Sequence, residues 1–378
     1  MRTDRKASGS GSPNAFVGYI RKNKQLLIPL SFLTILLLIN VIMSAIAGMN
    51  FFNIWLEENG TLHGYPISIL NRATPLLVIT MGMTLVTAAC GGQDISVGAL
   101  TTIAGATFYR VISIGGYTNP WAILLGFVLC CIVTMLFGAF NGTLVSVFRI
   151  QPMIATLILF SCGRKIANWI ANVDEAVIDS APVKELGSYL PGVAVPTPLL
   201  IGLVVGVIFF LMMKLTNIGM YAQSVGINQS AARLNGINPT MVKLLTFIIL
   251  GACCAVAGFI RTCDIQKVSY ETHLQDIEMD AILAVAIGGN SLGGGKFSLV
   301  GSVLGAYTLQ TLSTTLDRFN IKSTDIKAYK AIVIILLVVI GSDTVKKMIS
   351  RLISKSKIKK AGINGEHDQT NKLTEEGA

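Results

Sequence analysis

The sequence predicts an all-α protein that crosses a membrane about ten times. Of its 378 residues, 52% are hydrophobic and only 13% are charged, whereas soluble domains carry about 25% charged residues. Long apolar runs recur along most of the chain, and a bilayer-spanning helix needs about 20 such residues. The mean hydropathy of +0.65 agrees with this assignment. We therefore expect a polytopic membrane protein.

The net charge of +10 is concentrated at the two ends of the chain. The basic residues that flank the apolar region are Arg2, Arg5, Lys6, Arg21, Lys22 and Lys24, and then Lys346, Lys347, Arg351, Lys355, Lys357, Lys359 and Lys360. Such residues at membrane ends indicate cytoplasmic placement. Because no basic domain with interleaved aromatic residues is found in the sequence, nucleic-acid binding is excluded. The pattern predicts a cytoplasmic tail at 1–25, a membrane domain at 26–345 and a cytoplasmic tail at 346–378.

The first apolar run, 26–47, is interpreted as a retained helix. Its Ala45-Ile46-Ala47 triplet resembles a signal-peptidase site, but the leader and the apolar core are longer than those of a signal peptide. The further expected spans are 66–90, 94–114, 121–147, 152–171, 198–214, 242–262, 279–290, 298–316 and 329–345.

Loop charges place both termini on the cytoplasmic side. The loops 48–65, 172–197 and 263–278 are acidic and are expected outside. The basic residues expected on the opposite side are Arg149, Lys214, Arg233, Lys243 and Lys296, and the exceptions to this pattern are Arg110, Lys322 and Lys327.

Two glycine-rich breaks interrupt this series of spans. The first contains Gly91, Gly92, Gln93, Asp94 and Ser96 between two apolar runs. Polar backbone at membrane depth is tolerated only where it is packed in protein or lines an aqueous cavity. The motif therefore predicts a broken segment on a translocation path, and Asp94 or Ser96 is expected to cap the next helix.

The second break contains Gly288, Gly289 and Asn290 and follows a run, 279–290, that is too short to span upright. We expect this run to be re-entrant or broken. The pairs Gly91-Gly92 and Gly105-Ala106 match Gly288-Gly289 and Gly305-Ala306. The match indicates either an internal repeat that marks a transport site or glycines that permit close helix packing.

Other polar residues within the spans have two interpretations each. Asn71 and Asn141 either line the path or hydrogen-bond between helices. Arg164 and Lys165 either face a polar cavity or extend to the outer interface.

The sequence offers no metal or nucleotide site. Seven cysteines, none in a C-x-x-C pair, are expected to be small buried hydrophobes, and three histidines are scattered. Gly294-Gly295-Lys296 resembles the end of a phosphate-binding loop, but Asn290 and Phe297 break the template. We therefore expect no cofactor on this chain and no ATP hydrolysis by it.

The 214–243 loop is the longest expected cytoplasmic connection between spans. Asn228 is expected to cap a short helix that ends near Gly236. That helix contains Ala231, Ala232 and Arg233, with Gly226 just before it, and its small, flat Ala231-Ala232 surface suits the groove of a partner. An ordinary connector is the alternative.

Four motifs in order resemble the ribose/galactoside class of ABC sugar-importer permeases, whose relatives include permeases for branched-chain amino acids. These motifs are Gly91–Leu100, the run from Gln151-Pro152 to Ile158, the loop at 226–236, and Asp280–Gly289. Residues 69–75 and 149–152 are most similar to galactofuranose-type permeases. Gln93 stands where that family usually has an aliphatic residue, so the identity of the sugar does not transfer with the motif.

The resemblance implies an importer that is driven by ATP on a separate subunit. Two permease subunits, identical or homologous, would form the path in the cell inner membrane. A binding protein would deliver a monosaccharide from outside, and an ATPase that binds ATP-Mg would receive the loop around Asn228–Gly236. A permease for branched-chain amino acids or nucleosides, an ion-coupled secondary transporter and a membrane scaffold are the alternatives.

Overall fold

The computed structural model describes residues 26–47, 51–57, 60–173, 175–318, 328–332 and 335. The described part is almost entirely helical. The named helices, numbered in chain order, are α1 (Leu27–Ala47), α2 (Tyr65–Cys90), α3 (Val97–Gly115), α4 (Pro120–Ser146), α5 (Pro152–Ala171), α6 (Ala181–Gly187), α7 (Thr197–Leu215), α8 (Ile218–Ile227), α9 (Gln229–Leu234), α10 (Pro239–Ile265), α11 (Ile277–Ile287) and α12 (Leu299–Arg318). These helices belong to one compact unit, Met1–Lys322. A second unit, Ser323–Ala378, contains the described helical residues 328–332 and 335.

Seven of the described helices, α1 to α5, α7 and α10, are long and apolar enough to cross a membrane. The prediction of an all-α polytopic membrane protein is confirmed, whereas the number ten stays a prediction. Most of the last expected span, 329–345, and both expected tails lie outside the described residues.

Helix α2 forms the centre of the first unit. Its side chains are buried almost without interruption from Ala73 to Ala89. Helix α10 packs against α2 and α4 and buries Phe247, Leu250 and Cys254. By contrast, α7 exposes large apolar residues such as Leu203, Val207 and Phe210, as a lipid-facing or subunit-facing helix does.

Two short antiparallel strand pairs mark one end of the helices, which we call the hairpin end. Strand β1 (Ile54–Leu56) pairs with β2 (Leu62–Gly64), with Trp55 opposite His63. Strand β3 (Ala176–Val177) pairs with β4 (Lys267–Val268), with Ala176 opposite Val268. An ion pair of 2.8 Å between the Lys267 Nζ and the Glu175 Oε2 atoms adds to the second pair. The sequence analysis did not predict these strands, because two or three residues carry no readable alternation.

Helices α8 and α9 lie in the 214–243 loop. They pack against the C-terminal end of α2, near Ala89. The Asn228 side chain accepts hydrogen bonds from the backbone amides of Ser230 and Ala231, both at 3.0 Å. Helix α9 ends at Leu234, and Gly236 follows with a φ of 78°. The prediction of a short helix capped by Asn228 and ended near Gly236 is confirmed.

Helix α11 is shorter than the predicted segment 279–290. It contains 11 residues, from Ile277 to Ile287, and is too short to span a bilayer. The structure therefore agrees with a broken or re-entrant segment at this position.

Candidate functional site

The first glycine break joins α2 to α3. Gly91 adopts a left-handed conformation, φ 63° and ψ 33°, and its amide donates to the Thr87 carbonyl oxygen. Glycine is the residue that adopts this conformation without a steric penalty, so it ends α2 sharply. The chain then runs through residues 92–96 before α3 begins at Val97.

A buried hydrogen-bond network holds the polar part of this break. The Asp94 Oδ1 atom accepts from the Ser96 backbone amide at 2.7 Å and from the Ser96 hydroxyl at 2.6 Å. Asn141 of α4 donates from Nδ2 to the Ser96 hydroxyl at 2.9 Å. All three side chains are no more than 1% exposed. The network therefore ties the break to α4.

The expected side-chain cap of α3 is not present. Ser96 occupies the N-cap position but makes no side-chain cap hydrogen bond. The reason is that the Ser96 hydroxyl donates to Asp94 and accepts from Asn141. The Asp94 Oδ1 atom in turn accepts from the amide and the hydroxyl of Ser96. Thr156 of α5 accepts instead from the Ile95 amide at 3.1 Å, which attaches a third helix to the break.

The second glycine break joins α11 to α12 and centres on Asn290. The Asn290 Oδ1 atom accepts from the Ser298 amide at 2.6 Å, and its Nδ2 donates to the Ser302 hydroxyl at 2.7 Å. The Thr84 hydroxyl of α2 also donates to the Ser302 Oγ atom at 2.7 Å. Gly288 lies directly against the backbone of Gly301, and Gly289 has a φ of 80°.

The two breaks contact each other directly. Gln93 donates from Nε2 to the Leu292 carbonyl oxygen at 2.9 Å, and the Gly295 amide donates to the Ala88 carbonyl oxygen at 3.0 Å. A Cβ atom at Gly91 would lie 2.7 Å from the Gly293 carbonyl oxygen. We call this contact between residues 88–93 and 292–295 the glycine junction. Sequence reasoning singled out both halves of the junction but not their contact.

The 214–243 loop reaches the same junction. Gly226 of α8 packs directly on the Ala88 carbonyl group, and its Cβ position lies 2.7 Å from the Gly295 amide nitrogen. Ala232 of α9 is buried together with Ala89, Ala222, Val225 and Val242. Ala231 and Arg233 are exposed. A displacement of α8 and α9 would therefore act on the end of α2 and on the second break together.

Ala232 does not lie on the flat exposed surface that the sequence analysis described. It faces inward because one side of α9 packs on the end of α2 and the start of α10. The exposed surface of the loop is formed instead by Ala231 and by large apolar residues, namely Met220, Ile227 and Leu234, with exposures of 58%, 61% and 90%.

Asn71 lies apart from the junction, 20 residues before Gly91 along α2. Its Oδ1 atom is buried and has no hydrogen-bond partner among the described residues. Sequence reasoning missed Thr84, Ser298 and Ser302, which complete the second network. Ser298 and Ser302 stand four residues apart just after the second break, and this helical spacing was a readable signal.

The two glycine breaks and the side chains bonded to them contain amides, hydroxyls and one carboxylate. Within the described ranges, no group of three or more His, Cys, Asp or Glu side chains is placed to hold a metal ion. Gln93, Asp94 and Asn290 are at most 7% exposed. These three side chains are therefore packed inside the protein, whereas Gly91, Leu292 and Gly293 of the junction are exposed.

Comparison with known proteins shows that the chain is similar to transport permeases. Residues 65–341 match the family described as branched-chain amino acid transport system / permease component. The galactofuranose transporter permease protein YtfT of Escherichia coli (strain K12) is 36% identical over 323 residues, which cover 85% of this chain and 92% of that protein.

Two further relatives match most of the chain. The fructose import permease protein FruF of Bifidobacterium longum is 34% identical, covering 81% of this chain and 85% of that protein. The ribose import permease protein RbsC of Escherichia coli (strain K12) is 30% identical, covering 73% of this chain and 84% of that protein. No solved structure matches the chain significantly.

Proposed function

This chain belongs to the family of branched-chain amino acid transport system / permease components, and on that premise we propose that it is the membrane-spanning permease of an ABC importer for a monosaccharide. The observation that carries the substrate class is that the relatives named above are sugar permeases for galactofuranose, fructose and ribose. The chain supplies a path and gates, and we propose that it performs no enzymatic reaction itself.

The geometry of the junction supports a coupling mechanism. Helices α8 and α9 form a short, capped lever whose inner face packs on Ala88 and Gly295. We propose that an ABC ATPase subunit binds the exposed side of this lever. When ATP-Mg binds and is hydrolysed on that subunit, the lever moves the end of α2 and the second break together, and the junction opens or closes.

This mechanism assigns the sides of the membrane. The 214–243 loop would face the cytoplasm, as its Lys214, Arg233 and Lys243 favour. The hairpin end would face outward and receive an extracytoplasmic binding protein. The tails 1–25 and 346–378 would both be cytoplasmic, and a second copy or a close homologue would complete the path.

A pull-down tests the assembly. The tagged chain is extracted from its native membranes in mild detergent, and the co-purifying proteins are identified. We expect a stoichiometric ATPase subunit, and a second, different permease would distinguish a heterodimer from a homodimer. An intact complex without an ATPase would overturn the proposal in favour of a secondary transporter.

A further inference from the structure

The segment between α10 and α11, residues 266–276, begins with β4 at the hairpin end but does not continue as an ordinary outer loop. Val268, Tyr270 and His273 within it are buried. His273 lies near Gly105 of α3, whose Cβ position is 3.5 Å from the His273 Nε2 atom. The segment therefore runs back between the helices before α11 begins, and we call it the re-entrant segment.

The depth of this segment follows from its contacts with α3 and α5. Glu278, in the first turn of α11, touches Gly98, whose Cβ position also lies 3.2 Å from the Arg164 Nη2 atom. The neighbouring Gly163 packs against Ala99, and it lies 11 residues after Pro152 and 8 before Ala171. At 1.5 Å per residue, these separations are about 17 and 12 Å. Helix α11 therefore begins beside the middle of α5. Because α5 is long enough to cross a membrane, this position is near the middle of the membrane.

The re-entrant segment is anchored on one side. The Arg164 Nη1 atom donates to the carbonyl oxygens of Tyr270 and His273, at 3.0 and 3.1 Å. The Tyr270 hydroxyl donates to the Val173 carbonyl oxygen at 2.8 Å. Arg164 therefore satisfies irregular backbone at membrane depth, which decides between the two interpretations of this residue in favour of a polar interior.

The other side of the segment is exposed and polar. Glu271, Thr272 and Gln275 are exposed, and Met279 in the first turn of α11 is 54% exposed. Exposed irregular backbone with polar side chains does not face hydrocarbon, because its hydrogen-bonding groups would be unsatisfied there. This face must therefore meet water, a solute or other protein.

A buried acceptor lies next to this face. The Oε2 atom of Glu278 has no hydrogen-bond partner among the described residues, although Glu278 is only 4% exposed. The Arg164 Nη2 atom lies beside the same Gly98, so the two oppositely charged side chains face each other there. The polar residues of the two glycine breaks differ, since they are hydrogen-bonded within the protein.

We propose that the re-entrant segment lines the solute path at mid-membrane, and that Thr272, Gln275 and Met279 contact a neutral polyhydroxylated solute there. This proposal rests on the function proposed above and deepens it. Amide and hydroxyl side chains match sugar hydroxyls, and the Met279 thioether suits the apolar face of a sugar ring. The glycine junction then acts as the gate beside this path and does not bind the solute.

A matched pair of cysteine variants tests the proposal. Met279→Cys and Leu136→Cys are made in a Cys162→Ser background, because Cys162 is an exposed native thiol. Leu136 of α4 is 64% exposed. Leu136 lies five residues before Asn141 in α4, and Asn141 donates a hydrogen bond to Ser96. Ser96 lies two residues before Gly98, which contacts Glu278, the neighbour of Met279. The two positions therefore differ in depth by about one helical turn, and only Met279 is expected to meet water.

Both variants are expressed with the complete complex and treated with a membrane-impermeant methanethiosulfonate in right-side-out and inside-out vesicles. The thiolate is the reactive form and is disfavoured in lipid, so we expect Met279→Cys to react at least about tenfold faster from one side or both. Equally slow reaction of the two variants from both sides would overturn the proposal. If Met279→Cys does not reach the membrane, Gln275→Cys is compared with Leu136→Cys in the same way.

An uptake experiment in vesicles prepared in the same way distinguishes a failure of this proposal from a failure of the proposed function. ATP-driven uptake of D-ribose, D-fructose and galactofuranose is measured with the unmodified chain, and each sugar is then added during the labelling. A transported sugar is expected to slow the modification of Met279→Cys, or of Gln275→Cys where that variant replaces it, severalfold. Uptake without accessible cysteines refutes the path alone, whereas accessible cysteines without uptake of any of the three sugars refute the monosaccharide function alone.

Discussion

Gly226 shows how single residues connect the 214–243 loop to the glycine junction. It is the point at which α8 touches both the Ala88 carbonyl group and the Gly295 amide, so no side chain fits between them. Gly206 of α7 is a natural comparison, since a Cβ atom there would meet nothing within 4 Å.

The variant Gly226→Ala is expected to lower ATP-driven uptake and to destabilise the protein. Overpacking of this kind costs about 1–3 kcal/mol, and the added methyl group separates the lever from the junction. Uptake and the thermal midpoint in detergent are measured, with Gly206→Ala as the control. If the two variants behave alike, Gly226 is not a coupling contact.

Gly92 tests the first break separately. Its Cβ position lies 2.9 Å from the Pro152 ring at the start of α5. We expect Gly92→Leu to abolish uptake because the larger side chain pushes α5 away from the break, while the protein still inserts. Uptake and the amount in the membrane are compared with those of Gly206→Leu. Normal uptake by Gly92→Leu would contradict a role of the break in the gate.

At the scale of elements, the sequence predicted the long helices within a few residues, because their apolar runs exceed the length that a span requires. For example, the predicted segment 152–171 is helix α5, and 66–90 is helix α2 apart from one residue. The sequence also predicted the α9 helix, because Asn228 and Gly236 are local signals. The contacts between the two breaks were not predictable, since they join residues about 200 positions apart.

The re-entrant segment is a further feature at this scale whose contacts the sequence did not predict. Residues 263–278 are acidic and short of apolar residues, so they were assigned to an outer loop. The structure instead places Tyr270 and His273 against Arg164 of α5. A distant arginine thus helps to anchor this segment, and no periodicity within the segment encodes the contact.

The α9 cap gives an element-scale prediction. Removal of the Asn228 side chain leaves the Ser230 and Ala231 amides without their acceptor, and such a loss costs about 1 kcal/mol. We expect Asn228→Ala to accelerate hydrogen exchange at these amides and to weaken coupling, whereas Asn228→Asp preserves both. Exchange that is unchanged in Asn228→Ala would refute the role of the cap.

The exposed face of α9 gives a second prediction at this scale. Ala231 is exposed beside Leu234, so Ala231→Glu adds a charge where we expect the ATPase to dock. Membrane insertion should be unchanged, and ATPase co-purification and uptake should fall together. Ala231→Ser is the conservative control. A complex of Ala231→Glu that assembles and transports normally would exclude docking at this face.

At the scale of the whole molecule, the described fold combines a packed centre with polar breaks. Helix α2 connects the two, since its middle is buried and its end carries the glycine junction. Sequence alone identified the fold class and the family. The sequence did not distinguish residues that would form a gate from residues that would line a solute path, because both kinds are glycine and polar residues within apolar surroundings.

The most direct test of the proposed importer is uptake by the purified complex in proteoliposomes. The binding protein is added at the hairpin side and ATP-Mg at the side of the 214–243 loop. We predict that at least one of D-ribose, D-fructose and galactofuranose accumulates only when both are present. Accumulation driven by an ion gradient without ATP, or ATP-driven uptake of leucine but of none of these sugars, would contradict the proposed function.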